Sequence, residues 1–278
     1  MIWRALVGAV LALALLPASA SAQAFDPLEV DNTPKSYRSP QRFALEFKLG
    51  LYSPNIDSTP GLTGTPFADL FNNQYTTRPG QRPAGRPLTT IEFDWQFWHR
   101  FGSLGVGISV GYSGRSTHSF EYDPPNSTVL NPCKVPYCLR SADTTRLNVL
   151  PFTLELIYRF DVLALRYKVP LVPYVKAGVG YYLWFIQRGD GSLSFPVDNR
   201  GEKAIGGTPG WVFHPGIALL LDIFDKSAAT ALDTELGINH TYLFFEGNLS
   251  DISGMNGLFK NKMVLSDLTW NAGLAFEF

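Results

Sequence analysis

Apolar and polar residues alternate with a period of two in eight separate stretches of this chain, and that period predicts strands with one greasy and one polar face. Arg42 to Tyr52 sends Phe43, Leu45, Phe47, Leu49 and Leu51 one way and Ala44, Glu46, Lys48 and Gly50 the other. Thr89 to Arg100 sets Ile91, Phe93, Trp95 and Phe97 against Glu92, Asp94 and Gln96. After Phe101-Gly102-Ser103, Leu104, Val106, Ile108, Val110 and Tyr112 alternate with Gly105, Gly107, Ser109 and Gly111. A fourth strand has Leu150 through Phe160 on its apolar row and Thr153, Glu155 and Arg159 on the other. A fifth sets Val175, Ala177, Val179, Tyr181 and Leu183 against Lys176, Gly178 and Gly180. A sixth, Phe213 to Asp222, opposes Ile217, Leu219 and Leu221 to His214, Gly216 and Ala218. A seventh reads as Leu236, Ile238, Tyr242 and Phe244 against Asp233, Glu235, Gly237 and Asn239. The eighth starts near Met263, carries Asp267 on its polar face, and finishes with Trp270, Ala272, Leu274, Phe276 and Phe278 alternating with Asn271, Gly273, Ala275 and Glu277.

The charges decide what these faces are for. In the central parts of the strands, Asp, Glu, Lys and Arg share the row of the glycines, and the other row carries none. A soluble sandwich would turn its apolar row inward and its charged row to water. A membrane barrel does the reverse, because a cation on the lipid face at mid-bilayer costs about 2–4 kcal/mol. Alternation alone fits both. The chain start adds what is missing: Met1 to Ala22 has one cation, Arg4, an apolar run from Ala5 to Leu16, Pro17, and the small-x-small site Ala20-Ser21-Ala22. That is a cleavable secretory signal, too short in its apolar part to anchor in a bilayer. Residues 23–41 then read as a polar, flexible periplasmic lead, and residues 42–278 as the barrel. Aromatic residues near strand ends (Tyr112, Tyr158, Phe160, Tyr242, Phe276) suit an interfacial belt.

The terminal strand, with Trp270, Leu274, Phe276 and Phe278 on one row, resembles the closing strand of bacterial outer-membrane barrels, which implies that it addresses the chain to the barrel-assembly machinery. Together with the strand count, the chain resembles the OmpA/OmpX/OmpW-like superfamily of small barrels over about Arg42 to Phe278. The fold implied is an eight-stranded antiparallel transmembrane β-barrel in the bacterial outer membrane, in contact with its lipid and lipopolysaccharide. Four long connections, Ser53–Leu88, Phe120–Asp143, Arg188–Gly210 and Gly247–Lys262, alternate with shorter ones at 101–103, 161–170 and about 223–231. With both chain ends in the periplasm, the four long ones face outside the cell. The chain stops at Phe278, so tethering to the cell wall in the OmpA manner is not expected.

Composition excludes some functions and leaves others open. A formal net charge of −1 offers no basic field for nucleic acid. Twenty Phe, 12 Tyr and 6 Trp suit a lipid face and its belts. Eight strands enclose an interior that side chains fill, so Glu46, Glu92, Asp94, Glu155, Glu235, Asp267 and Glu277 are expected to meet Lys48, Arg159 and Lys176 in a lumen charge network. That network reads as a plug holding the barrel closed; the alternative is a narrow cation-preferring path. Cys133 and Cys138, exported together in one loop, read as a local disulfide. They lack the further ligands a zinc site needs, and no metal or other cofactor is expected. His240 reads as an outward belt residue near the outer rim and His99 as one near the periplasmic rim. Lipid A deacylases place a His and a Ser two residues apart; here Tyr242 stands where that Ser would be and Ser119 directly follows His118, so catalysis is not expected. Three functions stay open: a structural or surface-interaction barrel working through its loops, a channel for small solutes or hydrophobic compounds, and a lipid-modifying enzyme.

Overall fold

A computed structural model describes residues 42–72, 82–120, 140–167, 169–195, 202–255, 257–259 and 262–278. The signal peptide, the lead to residue 41, and the Cys133 and Cys138 pair lie outside the described residues. Eight antiparallel strands close in chain order: β1 (Phe43–Tyr52), β2 (Arg86–His99), β3 (Ser103–Phe120), β4 (Arg140–Arg159), β5 (Leu171–Arg188), β6 (Ile205–Leu220), β7 (His240–Asp251) and β8 (Asp267–Glu277). Closure comes from β1 against β8, with Ala44 opposite Glu277 and Gly50 opposite Asn271. Every strand therefore has two neighbours, which satisfies backbone groups where no water reaches.

The period-two pattern becomes an inside-out burial pattern. Phe47, Ile108, Leu154 and Trp270 are 46%, 63%, 50% and 46% exposed, whereas Glu46, Glu92 and Lys176 are buried. Such a surface is tolerated in hydrocarbon and not in water, since contiguous apolar patches of this size on soluble proteins drive association. Leu154 sits mid-belt, paired with Ile108 on one side and Val179 on the other. Leu154→Arg is expected to cost about 2–4 kcal/mol, measured by urea unfolding from lipid vesicles; an unchanged midpoint would place that residue away from lipid.

Strand lengths are unequal. A tilted strand crosses a bilayer in about 9–11 residues, and β1, β7 and β8 have 10, 12 and 11. β3, β4, β5 and β6 run to 18, 20, 18 and 16 residues, so that side of the wall continues past the belt at the end bearing the long connections. Much of this extension lies where the alternation predicts loops: β4 starts at Arg140 instead of near Leu150, and β6 at Ile205 instead of Phe213.

The start of the expected seventh strand, up to Leu236, is the end of a helix. Short helix α1 (Pro66–Phe71) lies in the β1–β2 connection and α2 (Val162–Tyr167) in the β4–β5 turn. The longer α3 (Lys226–Leu236) fills the β6–β7 connection, which therefore spans 221–239 and is not short. Asp225 caps its start by accepting the Ala228 N–H at 2.9 Å, and Gly237 ends it at φ 71°. Glu235 is thus exposed on a helix and not in the lumen. Strand β7 begins only at His240, with the opposite phase: Tyr242 and Phe244 point inward, while Leu243 and Phe245 face out. The chance alternation Asp233-Thr-Glu-Leu-Gly-Ile-Asn239 imitated a strand, although Asp225 and Gly237 around a helix-forming run carried the true signal.

Candidate functional site

Inward rows from seven strands converge at the middle of the barrel. β1 contributes Glu46 and Lys48, β2 Glu92, Asp94 and Gln96, β4 Glu155 and Arg159, β5 Lys176, β6 His214, β7 Glu246, and β8 Asn271 and Glu277. Register puts Glu46 directly opposite Glu92 on adjacent strands, a repulsive arrangement unless cations intervene. They do. Lys176 Nζ lies 2.6 Å from Glu46 Oε2 and also bonds Glu92. Lys48 Nζ donates to Glu92 Oε2 at 2.6 Å and to Glu246 Oε1 at 3.1 Å. Arg159 bridges Glu46 and Asp94, each at 2.5 Å, and reaches Glu277 at 3.4 Å.

Neutral donors finish the network. Tyr242 OH and Gln96 Nε2 donate to Glu277 at 3.0 and 2.8 Å; Tyr174 OH and Asn271 Nδ2 donate to Glu246, both at 3.1 Å. His214 stands between Glu155 Oε2 at 2.8 Å and Asn248 Oδ1 at 3.0 Å. Burying ions is costly, and sharing each cation among several carboxylates is what offsets it. Carboxylate oxygens of Glu46, Glu92 and Asp94 come close enough together to ligate a metal. Two ammonium groups already sit on the Glu46 and Glu92 oxygens, so these residues do not fit a metal site.

Above the network, towards the long connections, the lumen turns apolar. Tyr52, Leu88, Val149, Tyr182, Val212 and Leu265 point inward around Phe67, which enters from the β1–β2 connection. That connection is folded. The Asp57 carboxylate accepts the N–H groups of Phe67 and Ala68 at 2.7 and 2.9 Å, capping α1 at its start. Arg140 Nη1 donates to the Leu70 carbonyl at 2.8 Å at the other end. Phe67 and Phe71 pack with centroids 5.0 Å apart, and the Arg115 guanidinium stands 5.6 and 5.8 Å from them. Burial holds the Asp69 carboxyl above its ordinary range, opposed by the Thr65 hydroxyl. Asp267, expected in the charge network, lies instead at this mouth, accepting Ser53 N–H at 2.8 Å with Arg82 at 3.5 Å.

At the opposite end a second apolar cluster includes Val172, Tyr174, Leu220, Tyr242 and Phe244. A gap of about 10 Å³ is left between that cluster and Arg159, room for roughly one water. Among the described residues, the lumen holds an ionic network at its middle with an apolar cluster at either end.

The chain is a closed eight-stranded β-barrel with the apolar outer face of a membrane-spanning one.

No protein-family model matches the sequence, and neither does any curated protein. Among solved structures it is similar to Ail, the attachment invasion locus protein of Yersinia pestis, at 8% identity and TM-score 0.37, covering 86% of this chain and 97% of that one. It is also similar to the N-terminal β-barrel domain of Pseudomonas aeruginosa OprF, at 11% identity and TM-score 0.33, covering 86% and 100%. A third is the Pseudomonas aeruginosa outer membrane protein OprG, at 12% identity and TM-score 0.38, covering 87% and 97%. At this distance none carries a function across.

Of the expected network residues, the structure brings together Glu46, Lys48, Glu92, Asp94, Glu155, Arg159, Lys176 and Glu277, and leaves out Glu235 and Asp267. Glu246, fully buried, was missed because strand seven was ended at Phe244 in the wrong phase. Tyr242 and His240 move from the outer belt to the inward row, and His240 sits at the end away from the long connections, beside Asp222 at 2.5 Å. Trp270 and Leu274 face outward and exposed, with Phe276 and Phe278 half-buried on the same face.

Proposed function

We propose that this barrel is a closed scaffold, working as a structural or surface-interaction protein through the connections it holds outside the cell. The occupied lumen carries the reading: a solute would have to displace the Phe67 cluster and then pull apart ion pairs linking six strands. The folded β1–β2 connection and the extension of β3 to β6 supply a rigid platform on which loops can meet lipopolysaccharide or other surfaces. Purified protein in planar bilayers is expected to show no steady single-channel conductance. Stable conductance that Glu46→Gln or Glu92→Gln changes would replace the scaffold with the narrow channel.

We also propose that the barrel performs no lipid chemistry. His99, His214 and His240 are each held by a structural partner, Gln96, Glu155 and Asp222 respectively. Overexpression is expected to leave the lipid A mass profile unchanged; a loss or gain of one acyl chain would reverse this.

A further inference from the structure

Helix α3 carries an apolar stripe that the described chain covers only in part, with Ala229 and Leu232 half-buried and Ala228 and Leu236 exposed. At 100° per residue, Ala228, Ala229, Leu232 and Leu236 fall on one arc, while Lys226, Thr230, Asp233 and Thr234 fall on the other side. None of its residues is buried, and Leu236 is 67% exposed. Leading into it, Ile223 and Phe224 are 39% and 70% exposed.

The helix cannot drift away from the barrel rim. On the β6 side, the Leu221 N–H donates to the Thr241 carbonyl at 2.9 Å, and the Asp222 carboxylate accepts the Thr241 N–H at 3.1 Å. On the β7 side, the Asn239 N–H donates to the Glu277 carbonyl at 2.7 Å. Only Ile223 to Asp225 and Gly237 to Ile238 separate these anchors from the helix, a reach of about 14 Å at most. The helix is itself about 16 Å long, so tethers this short at both ends hold it beside the rim and prevent it from standing end-on in solvent.

The same end of the barrel exposes apolar side chains. Phe101 in the β2–β3 turn and Tyr167 at the end of α2 are 71% and 65% exposed, and Leu243, three residues into β7 beyond the helix, is 47% exposed. We infer that α3 is an interfacial helix lying in the phospholipid leaflet at this end, its Ala228, Leu232 and Leu236 stripe in the acyl boundary and Phe224 as an anchor. With the β1–β2, β3–β4, β5–β6 and β7–β8 connections outside the cell, this is the periplasmic leaflet. Lys226 against Asp233 and Glu235 gives no cationic face, so the partner is zwitterionic phospholipid and anionic lipid is not required. The inference rests on the membrane placement of the barrel.

Nitroxide labels placed singly at 228, 230, 232, 234 and 236, with Cys133→Ser and Cys138→Ser, would be read in phosphatidylcholine nanodiscs. A label at Leu243, on the belt, serves as control. Collision with oxygen relative to a nickel chelate is expected to be high at 228, 232 and 236 and low at 230 and 234. Equal nickel access at all five, with the control still oxygen-accessible, would overturn the interfacial helix alone. Labels at 228, 232 and 236 shielded from both reagents would also overturn it, by indicating a protein partner or a second copy. A control exposed to nickel would overturn the membrane placement and this inference together. Hydrogen exchange on the chain with its cysteines intact gives a second reading. Phe224→Asp with Leu236→Asp is expected to speed exchange across 226–236 in nanodiscs, and unchanged exchange would count against lipid contact.

Discussion

Replacing Lys176 by Met is expected to lower the unfolding free energy by about 3–5 kcal/mol, the range seen when one partner of a buried ion pair is removed. Lys176 is the most enclosed cation of the lumen, fully buried with its ammonium on both Glu46 and Glu92. Those two carboxylates face each other across β1 and β2, and without the ammonium their repulsion is opposed only by Lys48 and Arg159. Met keeps the volume and removes the charge, so the loss is electrostatic and not a cavity effect. Adding Glu92→Gln to Lys176→Met should recover part of the loss, with a coupling of about 0.5–3 kcal/mol in the double-mutant cycle. Glu235→Gln on α3 provides the contrast, since an exposed site should stay within about 0.5 kcal/mol. Urea titration from lipid vesicles measures the unmodified protein, Lys176→Met, Glu92→Gln, their double variant and Glu235→Gln. A Lys176→Met midpoint equal to that of the unmodified protein would mean the ammonium is not engaged as described.

Phe67→Ala is the second large effect, and it falls on the mouth. Truncating a buried Phe costs about 3–5 kcal/mol, and the ring also holds the Arg115 guanidinium in a contact worth up to about 2 kcal/mol when desolvated. The β1–β2 connection is fixed to strands at both ends, so the loss is expected in its docking while the barrel below stays closed. Limited proteolysis should then cut within residues 53–72 far faster than in the unmodified protein, with the strands still resistant. Phe67→Leu should sit between the two. Cleavage at an unchanged rate would mean that the Asp57 cap and the Arg140 contacts hold this connection without the ring.

Much of this architecture is legible along the chain because a strand's two faces see two different solvents. Phe43 to Leu51 against Glu46 and Lys48, and Ile91 to Phe97 against Glu92 and Asp94, identify the lipid row and the lumen row without any coordinates. Period two carries face but not extent, however. Where β3 to β6 leave the membrane their outward row no longer has to be apolar, so the extension through Arg146 or Gly206 carries no alternation to read. The same limit let the run from Asp233 to Asn239 pass for a strand, and a one-residue error of phase then moved Tyr242, Phe244 and Glu246 to the wrong side.

The sequence by itself determined strands with charge confined to one row and hydrocarbon to the other, because the cost of placing ions against lipid is paid residue by residue and leaves a local record. Only the tertiary structure decided which ions meet, that Glu246 joins them while Glu235 and Asp267 do not, and that Phe67 closes the mouth. Those facts depend on register between strands distant in sequence and on a connection folding back into the lumen. Neither leaves a periodic trace in the chain.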